Sequence, residues 1–322
     1  MNVPSGAISL AVVGVGYLGR QHARVASALP GVHLAGVYDH HEGRAEEVAR
    51  EFGLRVLPSL DAVAEQAAGV VIATPTESHA ELAQFFLARG RDVLVEKPIT
   101  ATLSDADALL ARARQSRRIL QVGHVERYNP AVEAALALVD TPRFVEVHRL
   151  SPFTQRSLDV DVVKDLMIHD LQIVQGLVAR PVAEVRAVGM PVLTPRIDIA
   201  NARIQFEGGC VANLTASRIS EKKVRKCRIF DSSSYVSIDM QAQTVRALRF
   251  SGEGGGRQIV PVPVPVRCEE PLARELNEFV RAVRERTEPL VSGEVGRQAL
   301  ALAEAVLSAI GHDRRSPEAR SG

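Results

Sequence analysis

Between residues 8 and 124 short apolar runs alternate with amphipathic stretches, and no other feature of the chain limits its possible folds as strongly. "ISLAVVG" is an apolar run ending at glycine, and "YLGRQHARVASAL" after it places Leu18, Val25 and Leu29 near helical spacing. The unit recurs. "VHLAGVYD" reads as a strand, "GRAEEVAREFG" as a helix stopped by glycine, "GVVIATP" as a buried strand and "ESHAELAQFFLARG" as a helix ended by Gly90. "DVLVEKP" and "ILQVGH" supply two further strands, and the helix between them is expected to open at Ser104, with Asp107 near its first turn. Parallel strands need crossover connections, so short apolar strands separated by helices imply a parallel sheet covered on both faces. Such sheets bind ligands at the carboxyl ends of their strands.

The motifs fall at that edge. The first turn is Gly14-Val15-Gly16-Tyr17-Leu18-Gly19, and Asp39 closes the next strand. In a GxGxxG turn the first glycine permits the tight bend, the second lets a pyrophosphate approach the backbone, and the third allows close packing of helix on strand. The acid after the second strand accepts hydrogen bonds from an adenosine ribose. A lone GxGxxG carries little weight, but here strand, turn, helix, strand and acid arrive in order. The expectation is a Rossmann domain over residues 1–123 that binds a nicotinamide dinucleotide. An ionised Asp39 repels a ribose 2′-phosphate, which favours NAD; Arg44 nearby leaves NADP possible. Thr74, Pro75 and Thr76 follow another strand and are expected to touch the cofactor, with His79 beginning the next helix.

Lys97 ends a buried strand as part of Glu96-Lys97-Pro98. An ammonium at that place can lower the pKa of a substrate hydroxyl or steady a developing alkoxide, although an exposed lysine at a strand end is the plainer alternative. Farther on, "DVDVVKDLMIHDLQIVQGL" reads as a helix burying Val162, Leu166, Ile173 and Val174, yet it places Asp165 and His169 four residues apart on one face. Packing alone does not ask for that pair.

Residues 124–322 are β-rich: "RFVEVHRL", "AEVRAVGM", "NARIQFEGG", "CVANLTAS", "RKCRIFDSSSYVSIDM" and "VRALRF" alternate or are rich in strand formers. They imply an α+β domain on a mainly antiparallel open sheet. "VPVPVPV" suits only an extended arm or an edge, because proline lacks the amide donor. "LARELNEFVRAVRER" and "GRQALALAEAVLSAI" read as helices that close this second domain.

"VVGVGYLGRQH", "ATPTESH", "EKPI" and "DLMIHD", in this order and spacing, resemble the glucose-fructose oxidoreductase, inositol dehydrogenase and rhizopine catabolism (Gfo/Idh/MocA) family of NAD(P)-dependent oxidoreductases. The resemblance implies that Lys97 is catalytic, that the Lys97–Pro98 peptide is cis, and that Asp165 and His169 complete the site. It adds Glu96, Lys97 and His79 to the cofactor contacts. It also implies a homodimer or homotetramer built through the C-terminal sheet. On it, His124, Arg127, Tyr128 and Asn129 reach the substrate, and Arg149 and Arg156 hold a diphosphate by charge-assisted bonds. "GHVERYNPAV" and "RLSPFTQRSLDVDVVKDLMIHD" are most similar to the nucleotide-sugar branch, the UDP-N-acetylglucosamine 3-dehydrogenases that precede amino-sugar synthesis for lipid A. The chain departs from the family where many relatives carry glycines around the aspartate; here stand Val162, Val163, Lys164 and Met167.

Other classes are disfavoured. The chain has 322 residues, 46% hydrophobic and 24% charged, enough for two cores. Its 39 Lys plus Arg against 38 Asp plus Glu leave a formal charge of +1, so no general attraction to nucleic acid or anionic membrane is expected. The first residues lack a basic n-region, and Cys210, Cys227 and Cys268 lie at no disulfide or zinc spacing; reduced thiols filling cores or strands of a cytoplasmic protein are expected. His40-His41 lack a third ligand at a recognisable spacing, so no metal is expected. A dehydrogenase of a free sugar or inositol-like polyol is the same-chemistry alternative. A non-catalytic NAD(H)-responsive binding protein is the alternative from another class, and Lys97, Asp165 and His169 speak against it.

Overall fold

The computed structural model describes residues 6–154, 160–251 and 258–313, and the chain divides into two compact units: Met1–Val125 with Glu270–Gln298, and Glu126–Glu269 with Ala299–Gly322. No helix among the described residues is long and apolar enough to cross a membrane.

The first unit is the expected parallel sheet. Its strands are β1 (Ile8–Val13), β2 (Val32–Tyr38), β3 (Gly69–Ile72), β4 (Asp92–Glu96) and β5 (Leu120–Gly123), in the order β2-β1-β3-β4-β5. The connection from β2 crosses back over β1 to reach β3, so the chain reverses its winding at β1, where loops part and a ligand can enter. Single bridges, Val37 to Val56 and Gln121 to Ser292, extend the two edges. The helices are α1 (Tyr17–Ala28), α2 (Glu42–Phe52), α3 (Leu60–Gln66), α4 (His79–Ala88) and α5 (Leu103–Ser116). Helix α5 is capped by Thr102, whose hydroxyl accepts the Asp105 N–H at 3.2 Å, two residues earlier than the expected opening at Ser104.

Residues 270–298 correct the expected division at residue 123. Helix α8 (Pro271–Glu285), expected to close the second domain, lays Leu276, Phe279, Val280 and Val283 into the core formed by Leu10, Val12, Val37, Val71 and Leu94. Spacing of i, i+3, i+4 and i+7 announces an apolar stripe but not the sheet it will cover.

The second unit contains the eight-stranded sheet β13-β12-β11-β10-β6-β9-β8-β7. Its strands are β6 (Phe144–Leu150), β7 (Val182–Met190), β8 (Ile199–Phe206), β9 (Val211–Ser217), β10 (Val224–Phe230), β11 (Ser234–Asp239), β12 (Thr244–Ser251) and β13 (Gln258–Val262). Within this sheet, among the described residues, only β6 and β9 pair in parallel. The proline-rich segment enters the sheet as edge strand β13, with Pro261 opposite Leu248, where a missing donor costs nothing inside the ladder. Alternation puts Val145, Val147, Ala202, Ile204, Ala212, Leu214, Cys227 and Ile229 on one buried face with α6 (Pro130–Leu136), α7 (Ile168–Val178) and the later part of α9 (Gly293–Asp313). The outer face carries polar pairs, among them Arg228 to Glu146 at 2.8 Å and Asn201 to Thr215 at 2.9 Å. Cys210 and Cys227 are buried as expected of fillers, whereas Cys268 is exposed.

One buried ion cluster ties this sheet to its helices. Arg149 on β6 gives Nε and Nη2 to the two oxygens of Asp170 on α7, each at 2.7 Å, and Nη1 to Glu126 at 2.9 Å. Arg225 on β10 also donates to Glu126, at 2.6 Å, so two guanidiniums meet two carboxylates. Burial favours a neutral guanidine, but Asp170 and Glu126 outweigh it and hold Arg149 above its ordinary range. At Glu126 burial pushes the carboxyl up, and Arg149 and Arg225 bring it below its ordinary value. Arg149→Ala strands the buried Asp170 and leaves Glu126 to Arg225, and is expected to destabilise the fold by roughly 3–5 kcal/mol, read from urea unfolding. A loss below about 1 kcal/mol would show that the cluster is only a surface-grade pair.

Candidate active site

The glycine turn is built as its spacing requires. Gly14 follows β1 with φ +81°, and a Cβ there would meet Ala73 O at 2.9 Å and Thr74 Cγ2 at 2.6 Å. A Cβ on Gly19 would stand 1.8 Å from Gly14 O, so α1 lies on the turn at a distance that only glycine permits. At Gly16, which precedes α1, an added Cβ would meet nothing within 4 Å. The middle glycine is therefore not demanded by the protein's own packing, which fits a place kept open for a ligand's phosphates at a helix N-terminus. Tyr17 and Leu18 are exposed beside it, 60% and 44%.

Asp39 serves the same turn from β2. Its Oδ2 accepts the Val15 N–H at 2.9 Å and its Oδ1 the His41 N–H at 2.9 Å. Each carboxylate oxygen has a second lone pair for a ribose hydroxyl. The carboxylate is covered, however, with its side chain 2% exposed and His40 and Arg44 at 3.3 and 3.5 Å. The adjoining loop is held internally: Ser78 Oγ donates to Thr74 Oγ1 at 2.7 Å, Pro75 is exposed, and Thr76 opens a 3-10 turn.

His79 and Glu96, both expected to touch the cofactor, face inward instead. His79 is buried with Nδ1 2.8 Å from the Pro98 carbonyl and Nε2 3.0 Å from the Thr74 carbonyl, bracing both loops from behind. Burial lowers its pKa against the pull of the two carbonyls, so the ring is neutral and donates to one of them. Glu96 is buried; its Oε1 lies 2.8 Å from His22 Nε2, and its Oε2 accepts the Lys97 N–H at 3.2 Å. Lys97, the first residue past β4, is only partly buried. The Lys97–Pro98 peptide is cis.

The substrate candidates divide by burial. His124 follows β5, is 1% exposed, and is pushed down to about 3 by burial and then by the Lys97 charge, so it is neutral. Arg127 is partly exposed in the 3-10 turn Val125–Tyr128, whereas Tyr128 is buried. Asn129 is the cap of α6: its Oδ1 accepts the Ala131 N–H at 3.1 Å and its Nδ2 donates to Met240 O at 2.8 Å. Arg149, expected to hold a diphosphate, has its guanidinium occupied by Asp170 and Glu126. Arg156 lies outside the described residues.

Asp165 and His169 occupy the second unit, both partly buried. The expected uniform α-helix is replaced by a π-helical turn over Val163–Met167, in which the Ile168 N–H reaches back five residues to Val163 O, followed by α7. Such widened turns recur at functional sites because they redirect side chains on an otherwise regular helix. Asp170 does not stand in for Asp165, since both of its oxygens take Arg149.

Comparison with known proteins agrees with this anatomy. The family model described as "Oxidoreductase family, NAD-binding Rossmann fold" (GFO_IDH_MocA) matches residues 8–124, and its C-terminal alpha/beta domain model matches residues 156–317. The UDP-N-acetylglucosamine 3-dehydrogenase of Acidithiobacillus ferrooxidans is 38% identical over 307 residues, covering 93% of this chain and 96% of that one. A crystal form of that enzyme superposes with TM-score 0.87 at 36% identity, covering 95% of this chain and 98% of that one. The scyllo-inositol 2-dehydrogenase (NAD(+)) of Bacillus subtilis is 29% identical over 313 residues, 88% of this chain and 89% of that one.

The two glycines that differ in surroundings are expected to differ under substitution. Gly16→Ala keeps the melting temperature within a degree or two but weakens dinucleotide binding, measured by calorimetry, because its methyl enters open space. Gly19→Ala lowers the melting temperature as well, because its methyl collides with backbone. Equal thermal effects from both would contradict a ligand cradle at Gly16.

Proposed function

The chain belongs to the Gfo/Idh/MocA oxidoreductase family, and from that premise we propose that it oxidises the 3-hydroxyl of UDP-N-acetylglucosamine to the 3-keto sugar nucleotide with NAD. The observation that carries the substrate reading is the 38% identity to the Acidithiobacillus enzyme across nearly the full length of both chains. The preference for NAD rests on Asp39, whose carboxylate repels a 2′-phosphate. Arg44 and His40 lie over that carboxylate, and their displacement opens its free lone pairs to a ribose.

The residues fit a dinucleotide because Gly16 leaves its surroundings open while Gly14 and Gly19 seat α1 close behind it. Gly14, Gly16 and Gly19, with Asp39 and the Thr74–Thr76 loop, would hold it. A bound NAD supplies the acceptor for the hydride that leaves the alcohol carbon. The protein's own share is the proton and the charge. His169 takes the hydroxyl proton, Asp165 orients the imidazole, and Lys97 steadies the oxygen as it becomes an oxyanion. The alcohol loses two electrons as hydride and one proton to His169, leaving a ketone. Arg127, partly exposed in the turn after β5, is the candidate there for a substrate contact.

A panel of UDP-sugars, free sugars and inositols, followed by NADH absorbance, tests the substrate. Turnover of UDP-N-acetylglucosamine is expected, and turnover of free polyols alone rejects it. Tight NADH binding with no turnover across the panel would identify a non-catalytic binding protein. Lys97→Ala and His169→Ala are each expected to lower kcat roughly 10²- to 10⁴-fold, the range of a lost acid–base or electrostatic group, while NADH binding persists. Undiminished kcat in either variant removes that residue from the mechanism. Asp39→Ala should raise the Kd for NAD and narrow the NAD-over-NADP preference; an unaltered preference assigns discrimination elsewhere.

A further inference from the structure

The first unit holds a buried acid–base cluster that the reaction above leaves unused. His22 on α1, Glu96 at the end of β4 and Glu275 on α8 are each at most 6% exposed, and one polar atom of each lies within 4.8 Å of the others. Glu96 is fully committed, with Oε1 against His22 Nε2 and Oε2 accepting the Lys97 N–H. Gly123 opposite makes room for it: a Cβ there would stand 3.0 Å from the Glu96 carboxyl carbon. Glu275 is the reverse. It is 0% exposed, and neither of its carboxyl oxygens has a hydrogen-bond partner among the described residues. Gln121 beside it donates Nε2 to the Glu275 carbonyl at 3.1 Å and keeps an unpartnered Oε1.

Two carboxyl groups this close and this dry do not both ionise, because each loses its hydration and each raises the proton affinity of the other. Their partners decide which one keeps the charge. Burial and then the Glu96 charge hold the Glu275 carboxyl well above the carboxylate range. Burial pushes Glu96 up as well, but the His22 contact and the Lys97 charge and N–H outweigh it, and the net direction is down.

We propose that Glu275 and Glu96 form a buried pair sharing one proton and one negative charge, and that protonated Glu275 thereby makes Glu96 a positioning residue for Lys97. The carboxylate fixes the backbone from which the Lys97 side chain departs, by accepting the Lys97 N–H. The other titratable groups around the pair are His22, Lys97, His79 and His124, the last two kept neutral by burial. The link to catalysis rests on the role given to Lys97 above; the shared proton does not.

Infrared spectroscopy of the full-length protein decides the protonation directly. At neutral to mildly alkaline pH ordinary carboxyl groups are ionised, so a protonated-carboxyl carbonyl band is expected in the wild type and its loss in Glu275→Gln. A wild-type spectrum without that band, or a band untouched by Glu275→Gln, overturns the proposal. So does a stoichiometric divalent metal in the purified protein that Glu275→Gln removes, since a cation would require both carboxylates ionised. Unfolding against pH gives a second readout. A carboxyl whose affinity for protons rises on folding stabilises fully below its ordinary value near 4.5 and loses that contribution as pH climbs toward the folded value. Glu275→Gln should therefore flatten the decline in stability above that pH, and an unchanged slope counts against the pair. Glu96→Gln weakens the acceptor that holds the Lys97 N–H and should lower kcat more than it changes KM, whereas Glu275→Gln, removing no charge, should lower kcat far less. An equal loss of kcat in both variants would count against a neutral Glu275. Absence of turnover would count against the assigned reaction and leave the infrared outcome standing.

Discussion

The contact that most of the first unit depends on is the seating of α1 against the end of β1. With no side chain at residue 19, the helix approaches until the space for a Cβ would fall 1.8 Å from the Gly14 carbonyl. Dispersion and burial gain at so short a separation, and Ala23, Val25 and Ala26 drop into the core beside Leu10 and Val12. The same approach aims the N-terminus of α1, with its unsatisfied amides, at the carboxyl edge of the sheet. Asp39 then reaches back from β2 to the Val15 N–H, so that the turn is held from the neighbouring strand as well as from the helix. Packing and ligand geometry have one cause here, which explains why a motif of three glycines is so informative about both.

Legibility follows from that. Every strand of the first sheet was recoverable from a short apolar run bounded by a turn residue, because a parallel strand buried on both faces has no polar alternation to hide it. Strands of the second sheet were recoverable for the opposite reason, one wet face and one dry face. Less legible were the elements whose meaning is set by a distant partner. Helix α3 was missed although Ser59 caps it, accepting the Ala62 N–H at 3.1 Å. Helix α8 shows a clear stripe, but a stripe is compatible with either core. Asn129 was read as a ligand contact, yet Asn-Pro is a cap followed by proline at the first helical position, a signal present in the sequence.

Arg149 failed differently. An arginine on a β-strand beside a polar loop looks available to an anion, and only the register of β6 shows that it points with Val145 and Val147 into the buried face. Once there it demands carboxylates, and Asp170 and Glu126 supply them. No local pattern connects residues 126, 149, 170 and 225; the sheet does. The π-helical turn before α7 is likewise invisible to a periodicity argument, since one extra residue in a turn leaves the apolar pattern on either side intact.

The buried acids Glu96 and Asp170 share a physical logic. Each is an acid directly adjoining a candidate catalytic residue, Glu96 before Lys97 and Asp170 after His169, and each is buried with both oxygens engaged by a base or a backbone N–H. Adjacent residues on a strand point to opposite sides, and adjacent residues on a helix are turned well away from each other. A motif such as EKP or IHD therefore contains one residue for the wet side and one for the dry side. The dry one is ionic rather than apolar because a bonded pair has a direction: an oily contact would leave the backbone at residue 97 or 169 free to slide, whereas hydrogen bonds under 3.3 Å with fixed angles do not. Holding a reacting group to a fraction of an ångström is the condition under which electrostatic stabilisation works without reorganisation, and in each unit a buried, bonded acid adjoins the residue proposed for that role.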